Sequence, residues 1–165
     1  MDNFSLVKEN NFIKAREEIK KNKDRTVIFS SNDDELNRKI LEKFGKNSPS
    51  TSSANSQSKE KIDILLLSQS GRKDQMKQRN SGFNHVLAKI AKKNDVIIGI
   101  NFDEIIESKG KNKAEIFGRI AQNIKLCGKN KLKMKFLGFK HERDIYDLKS
   151  LGLVLGMPTW MVKSL

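Results

Sequence analysis

Short apolar runs alternate with amphipathic segments along most of the chain. Four runs are rich in the β-branched and aliphatic residues that favour strands, and they lie at 26–29, 62–67, 96–100 and 132–137. The second and third runs are almost continuously apolar, which is typical of parallel strands covered on both faces. In the fourth run Lys133 and Lys135 alternate with apolar residues. This predicts an edge strand or a poorly covered face, although lysines whose alkyl chains reach the rim of a buried strand explain the pattern equally well.

Between these runs, apolar residues recur every three or four positions, as they do on the buried face of an amphipathic helix. The segments with this spacing lie at 9–22, 33–44, 82–93, 114–127 and 143–156. Strands that alternate with helices predict right-handed crossover connections and a mainly parallel α/β sheet. The pattern breaks at 45–60, which contains six serines and one proline. We expect a single domain spanning 1–165, with a flexible serine-rich loop at this break.

The segment from 78 to 90 is the most informative part of the sequence. Arg79, Asn80, Asn84 and His85 crowd the point where a polar turn enters a helix. A helix N-terminus has free backbone N–H groups, so with cations beside it the segment suits a phosphate group or an acidic partner. An ordinary capped helix behind a solvated loop is the competing interpretation. The apolar residues expected on the buried face of this helix are Phe83, Val86, Leu87 and Ile90.

The charge of the chain is strongly positive and unevenly placed. The 33 Lys and Arg residues against 20 Asp and Glu give a net charge of +13. Residues 71–93 hold seven cations and one anion (+6), and residues 108–135 hold nine cations and one anion (+8), which leaves −1 for the remainder. A local excess of this size is typical of a surface that binds the phosphate backbone of a nucleic acid. A membrane surface fits less well, because the cations are interleaved with core-forming helices.

The residue types that several kinds of catalysis need are scarce. His85 and His141 are the only histidines, too few for the cluster of a metal-dependent phosphoesterase barrel, and no glycine-rich phosphate loop occurs. Asp103 and Glu104 could act as paired carboxylates, but adjacent acids after a strand usually cap a helix. The single cysteine, Cys127, excludes an internal disulfide and is predicted to be a buried structural thiol. The sequence therefore argues against catalysis by this chain alone.

No signal-peptide pattern and no apolar run of membrane-spanning length occurs, so we expect a cytoplasmic protein. Three blocks of the sequence carry signatures that occur together, in the same order, in one known family. The first block is 79–91, which reads RNSGFNHVLAKIA. The second joins the strand at 96–102 to the helical residues 116–126, with Arg119 and Asn123 at the matching positions.

The third block consists of 143–148 and 151–157, which read RDIYDL and LGLVLGM. A further likeness lies at 34–38, and the matched region covers roughly 26–157. With these blocks the chain resembles the thirty-kilodalton protein subunit family of archaeal and eukaryotic ribonuclease P, called protein component three in archaea.

The resemblance implies a (β/α) TIM-barrel-like fold and a non-catalytic role beside a catalytic RNA, which removes the 5′ leader of precursor tRNA. It implies two direct partners, the ribonuclease P RNA and the small ferredoxin-like protein subunit of the same enzyme, with precursor tRNA contacted only indirectly. It also implies that the chain binds no cofactor and that magnesium belongs to the RNA. A complete barrel has about eight βα units. Because the sequence predicts only four strands, we expect an N-terminally shortened, open barrel that a homodimer or the partner subunit closes.

The RNA-binding residues are expected on the loops that leave the carboxyl ends of the strands, where a parallel α/β sheet carries its functional surface. Asp147 is expected to orient Arg143 rather than to touch RNA. The predicted RNA-binding residues are Arg72, Lys73, Lys77, Arg79, Asn84, His85, Lys111, Lys113 and Arg143. No catalytic residue and no metal ligand is predicted. Two other interpretations stay open: a small α/β enzyme acting on a phosphorylated metabolite, and a general RNA-binding protein such as a ribosome-associated one.

Overall fold

A parallel five-stranded sheet forms the centre of the fold, in a computed structural model that describes residues 4–22, 25–45, 61–76 and 78–165. The strands are β1 (Phe4–Lys8), β2 (Thr26–Ser30), β3 (Ile64–Leu67), β4 (Ile97–Asn101) and β5 (Met134–Leu137). Every pair of neighbours is parallel, and the order of strands in the sheet is their order in the sequence. Successive βαβ units, whose crossovers are right-handed in nearly all proteins, produce this order. The described residues therefore form an open, barrel-like α/β sheet, as the sequence predicts.

The helices are α1 (Phe12–Lys21), α2 (Asp34–Phe44), α3 (His85–Lys93), α4 (Phe102–Glu107), α5 (Gly110–Asn130), α6 (Ile145–Val154) and α7 (Thr159–Val162). Most begin at a side chain that accepts hydrogen bonds from the free N–H groups of the first turn. Asp33 does this for α2, Asn84 for α3, Asn101 for α4 and Asp144 for α6. These caps fix where each helix leaves its loop, and hence which side chains reach the carboxyl edge of the sheet.

The two faces of the sheet have different coverings. Alternate strand residues such as Phe29, Leu65 and Ile98 pack with the buried residues of the helices in one large core. Ile28, Ile64 and Leu66 point to the other face, where the apolar neighbours come from strands and from Phe139 rather than from helices. A Cβ added at Gly99 on this inner face would lie 3.0 Å from Leu137 and 3.1 Å from Ile64 and Leu66. The inner face is thus closely packed by its own strand residues, as in a barrel interior.

A ring contact between the two ends of the sheet supports this inward packing. Phe4 begins β1 and Phe139 follows β5, and their rings meet edge to face with centroids 5.8 Å apart. The hydrogen-bonded order nevertheless ends at β1 and β5, so each of these strands has one unpaired side among the described residues. The edge position predicted for the lysine-bearing run at 132–137 is confirmed, because this run forms β5.

Several sequence predictions need correction. The sequence suggested four strands, but β1 is a fifth; Val7 is its only buried residue, so its apolar signal is weak. A separate helix, α4, precedes α5, and α5 begins at Gly110 rather than at 114. Val86 is 46% exposed, because α3 buries Leu87, Ala88 and Ala91 instead. Apart from Gly45, the predicted loop at 45–60 lies outside the described residues.

Candidate nucleic-acid interface

The loop that joins β3 to α3 carries most of the predicted RNA-binding residues, and a buried arginine from α5 holds it. Arg119 is 2% exposed, and its Nε donates to a carboxylate oxygen of Asp74 at 2.7 Å. Its two terminal nitrogens donate to the carbonyl oxygens of Gln69 and Arg72, each at 2.9 Å. The hydrogen bond from Arg119 lowers the pKa of the Asp74 carboxyl more than partial burial raises it. The planar guanidinium therefore fixes both the backbone and a side chain of this loop.

Two adjacent carboxylates on α4 fasten the neighbouring loops. Glu104 accepts hydrogen bonds from the backbone N–H groups of Gln69 at 2.7 Å and Ser70 at 3.2 Å, and from the hydroxyl of Ser68. Asp103 points the other way, to the loop after β5. The sequence left open a catalytic pairing of these acids. The structure instead uses each one to hold a different loop at the carboxyl edge of the sheet.

Both carboxylate oxygens of Asp103 accept hydrogen bonds. Its carboxylate accepts from the backbone N–H groups of Phe139 at 2.8 Å, Lys140 at 3.3 Å and His141 at 3.0 Å. The Nδ1 atom of His141 lies 3.1 Å from the same group. Burial raises the pKa of Asp103, but the hydrogen bonds together outweigh it and leave the pKa below its ordinary value. Asp103 is therefore a charged structural anchor at neutral pH.

Arg72, a predicted RNA contact, is used within the protein. Its side chain is only 7% exposed, and Nε donates to the carbonyl of Ser68 at 2.8 Å. Its terminal nitrogens donate to Asp34 and Asn80, each at 3.2 Å. Gly82 has φ +66°, and a Cβ there would overlap the Arg72 guanidinium at 2.3 to 2.6 Å. The geometry gives Arg72 a loop-holding role; its contact with RNA stays a prediction.

Arg79 has a different position, exposed at the surface and lying across α5. A Cβ added at Gly118 would overlap its Nη1 atom, so the absence of a side chain at 118 makes room for the guanidinium. Arg79 lines a cleft of about 430 Å³ with Ala121, Leu126 and two lysines of α5. It also lines an adjoining cleft of about 460 Å³ that extends to His85 at the start of α3. These clefts form one groove between α3 and α5, which we call the α3–α5 groove.

The α3–α5 groove contains residues that the sequence reasoning did not place in the site. Gln122, Lys125 and Lys129 of α5 line it. Both lysines are exposed, and the ion pairs within the described residues include neither of them, nor Arg79. Lys125 and Lys129 therefore face solvent there without a partner carboxylate among the described residues, and Arg79, whose charge also acts on Asp74, lies beside them. The signal was present in the sequence as the four-residue spacing of Ala121, Lys125 and Lys129, which puts them on one face of a helix.

The start of α3 combines a cap with an exposed histidine. The side-chain oxygen of Asn84 accepts from the backbone N–H of Leu87 at 2.9 Å, so this residue orients the helix start, as the sequence predicted among its alternatives. His85 is exposed and lines the same groove as Arg79. The structure thus brings Arg79, Asn84 and His85 together in the α3–α5 groove.

The predicted cations of the carboxyl edge have acidic neighbours. Lys73 borders a cavity of about 540 Å³ that also contains Glu104, Glu107 and Glu115. Lys111 is 90% exposed and lies 4.0 Å from Glu115, while Lys113 is half-buried in the first turns of α5. This edge is therefore of mixed charge, although residues 71–93 and 108–135 carry a strong excess of cations in the sequence. Lys77 lies outside the described residues.

The remaining two residues with a predicted role lie at the start of α6. Arg143 is exposed just before α6, and Asp147 is exposed in the first turn of that helix. A carboxylate in this position favours the helix dipole. The ion pairs among the described residues include none between these two side chains. The orienting role of Asp147 stays a prediction.

Two further features are absent from the described ranges. They contain no group of three or more histidine, cysteine or acidic side chains arranged to hold a metal ion. No described helix combines the length and the apolar character needed to span a bilayer. Cys127 is fully buried, as predicted, and burial raises the pKa of its thiol to about 12.

Comparison with known proteins gives a structural relative. No protein-family model and no curated protein sequence matches the chain. Among solved structures, a chain in the cryo-EM structure of archaeal ribonuclease P with mature tRNA superposes with a TM-score of 0.71 over 96% of the present chain, at 22% sequence identity. The present chain spans 62% of the length of that relative. At this identity the likeness establishes a shared fold, and this fold is the barrel-like α/β architecture that the sequence resemblance implied.

Proposed function

We propose that this chain is a protein subunit of ribonuclease P, which binds the catalytic RNA of that enzyme and assists it in removing the 5′ leader of precursor tRNA. The observation that carries the proposal is the fold shared with a chain of archaeal ribonuclease P over 96% of the present sequence. The three ordered sequence blocks support it independently, and they include Arg119, which holds the loop after β3, and Asn84, which caps α3.

The α3–α5 groove is the surface that we assign to RNA. Its cations stand on rigid elements, since Lys125 and Lys129 belong to a helix of 21 residues and Arg79 rests against Gly118 of the same helix. Phosphate oxygens suit these cations, and counterion release on binding supplies most of the affinity. Gln122 and His85 add hydrogen-bonding groups beside the cations. The carboxyl edge, with its several glutamates, is less suited to a polyanion.

The assembly follows from the same proposal. The small ferredoxin-like subunit is the protein partner, the magnesium ions are held by the RNA, and this chain supplies no catalytic group. In the described residues Asp103 and Glu104, the acids nearest to a catalytic arrangement, are occupied with backbone N–H groups. This use of both acids agrees with a supporting rather than a chemical role.

The direct test is to recover the tagged protein from its native cells, sequence the bound RNA and assay precursor-tRNA cleavage. Recovery of one structured RNA with 5′-leader cleavage, together with the small ferredoxin-like subunit, is the expected result. Recovery of ribosomal or mixed RNA without that activity would replace the proposal with a general RNA-binding role. Turnover of a phosphorylated metabolite in the absence of RNA would instead indicate the small-enzyme interpretation.

A second test locates the interface. Substitution of both Lys125 and Lys129 by alanine removes two groove cations, so the dependence of log K on log salt concentration should become shallower by about two units. The matched control replaces Lys14 and Lys21, two exposed lysines of α1, by alanine. The control changes the net charge equally but should leave the salt dependence nearly unchanged. Equal effects of the two double variants would show that the α3–α5 groove is not the RNA surface.

A further inference from the structure

The α3–α5 groove has an apolar floor beside its cations, formed by Phe83, Ala121 and Leu126. Phe83 is only 4% exposed, whereas Ala121 and Leu126 are half-buried. Lys125 and Lys129 are exposed next to this floor. Cations alone suit the phosphates of any nucleic acid, but a phosphate gains nothing from an apolar surface. The apolar floor therefore points to a contact with another part of the nucleotide.

The guanidinium of Arg79 forms one wall of the groove. It occupies the space that a side chain at Gly118 would fill, so α5 supports it from one side. Arg79 is exposed and lines both clefts of the groove, so the rest of the planar group is open to a ligand. A guanidinium plane can stack on a nucleobase as well as pair with a phosphate, whereas a lysine ammonium offers only a point charge.

Two uncharged amides complete the groove. Gln78 and Gln122 line the cleft that extends to His85. Neither of these glutamine side chains forms a hydrogen bond with another described residue. An amide group carries a donor and an acceptor side by side. A phosphate can use only the donor, whereas the edge of a nucleobase can use both.

The size and shape of the groove favour unpaired over paired RNA. Its clefts have volumes of about 430 and 460 Å³, within the range of roughly 300 to 1,000 Å³ found for sites that hold small ligands. In an A-form duplex the bases are stacked inside, and the major groove is too narrow for side chains to read. A paired base therefore cannot reach the floor of a cleft on the protein. A bulged, looped or terminal base can turn out of its stack and enter the cleft.

We propose that the α3–α5 groove holds an unpaired nucleotide of the RNA. Its base stacks on the guanidinium of Arg79 against the apolar floor, and the edge of the base meets the amide of Gln122. The neighbouring phosphates lie beside Lys125 and Lys129. This inference rests on the proposed RNA-binding function and adds the structural class of RNA that the groove takes. It gives the groove two separable roles, because the lysines supply affinity for any RNA backbone, whereas Arg79 and Gln122 distinguish an unpaired base from a paired one.

The test compares RNA duplexes that differ by one bulged nucleotide, with fluorescence anisotropy of the full chain as the readout. The bulged duplex should bind at least about fivefold more tightly than the fully paired one. A third duplex carries an abasic nucleotide at the bulge, which keeps the additional phosphate and the flexible backbone but lacks the base. This abasic duplex should bind like the fully paired one, because the additional affinity comes from the base.

Two arginine variants locate the contact. Arg79→Lys keeps the charge but removes the plane, so the preference for the bulged duplex should fall below about twofold while the salt dependence stays as in the wild type. Arg25→Lys, at an exposed arginine just before β2, is the matched control and should keep the full preference. Lys125→Ala should weaken binding of the paired and the bulged duplex equally and make the salt dependence shallower by about one unit.

Equal binding of the paired and the bulged duplex by the wild type would overturn the inference but leave the proposed RNA-binding function standing. A preference that Arg79→Lys leaves intact would also overturn it, because the unpaired base would then be held elsewhere on the protein. Absence of salt-dependent binding to any of the duplexes would overturn the inference together with the proposed function.

Discussion

Replacement of Arg119 by methionine should be the most damaging single change to the candidate RNA surface, although Arg119 does not reach that surface itself. Methionine fills a similar volume but removes the hydrogen bonds to Asp74 and to the carbonyls of Gln69 and Arg72. Because Arg119 is 2% exposed, the carbonyl of Gln69 loses its partner in the interior, whereas Asp74, whose side chain is 26% exposed, regains water. Loss of these hydrogen bonds should cost about 2 to 4 kcal/mol. That is a large share of the roughly 5 to 15 kcal/mol that stabilise a typical domain.

Urea unfolding followed by the fluorescence of the single tryptophan, Trp160, measures this loss. Arg119→Lys keeps the charge but cannot reach all three acceptors. Its free energy of unfolding should therefore lie between those of the wild type and the methionine variant. A double-mutant cycle with Asp74→Asn isolates the ion pair and should give a coupling of about 1 to 3 kcal/mol. Lys125→Met, on the exposed side of the same helix, is the matched control and should change stability by less than about 0.5 kcal/mol. A methionine variant at 119 within about 1 kcal/mol of the wild type would refute the reasoning, because it would show that the loop does not depend on this guanidinium.

Three further predictions concern other sites. The folded-state pKa of Asp103 lies below its unfolded value of 3.8. The ionised carboxylate therefore stabilises the folded state above that value, and this stabilisation is lost as the pH falls through the folded pKa. Asp103→Asn should cost about 2 kcal/mol at pH 7 and should make the urea midpoint depend less on pH on the acid side. Gly118→Ala should not lower helix stability but should displace the Arg79 guanidinium and weaken RNA binding, whereas Gly128→Ala, which meets only Pro158 at 4.0 Å, should leave RNA binding unchanged. Cys127 should resist alkylation at pH 8 in the native protein and react at least about a hundredfold faster in urea, because it is buried and its thiol pKa is about 12; comparable rates in both states would contradict this.

The parts of the fold that the sequence predicts are those where one local pattern decides the structure. The continuous apolar runs became β3 and β4, whose described residues are almost all buried. β1 was missed because the strand buries only Val7, and its place in the sheet is decided by pairing with β2. The exposed position of Val86 was missed for a related reason. Asn84 caps α3 and sets where it begins, so the small residues Ala88 and Ala91 face the core beside Leu87.

The roles of individual arginines were harder to foresee, because they depend on residues far away in the sequence. Arg72 and Arg79 are seven positions apart in one basic loop and look equivalent there. The guanidinium of Arg72 donates a hydrogen bond to Asp34, which lies 38 positions earlier in the sequence. Arg79 is free to lie over α5 because residue 118 is a glycine. Local charge can identify the loop, but only the packing of α2 and α5 against it separates an internal arginine from an exposed one.

Some charged residues hold loops in place and others face solvent, so the net charge of +13 is not spread evenly over the surface. Near the carboxyl edge of the sheet, Asp34, Asp74, Asp103 and Glu104 hold loops in place. The acids that hold the loops also offset the cations of those loops, so the edge is less basic than its sequence suggests. The excess of positive charge lies instead along the exposed side of α5, where Lys125 and Lys129, one helical turn apart, face solvent. A phosphate backbone should therefore lie along the α3–α5 groove rather than across the mouth of the sheet, and substitutions on α5 should affect RNA affinity more than those at Lys73 or Lys111.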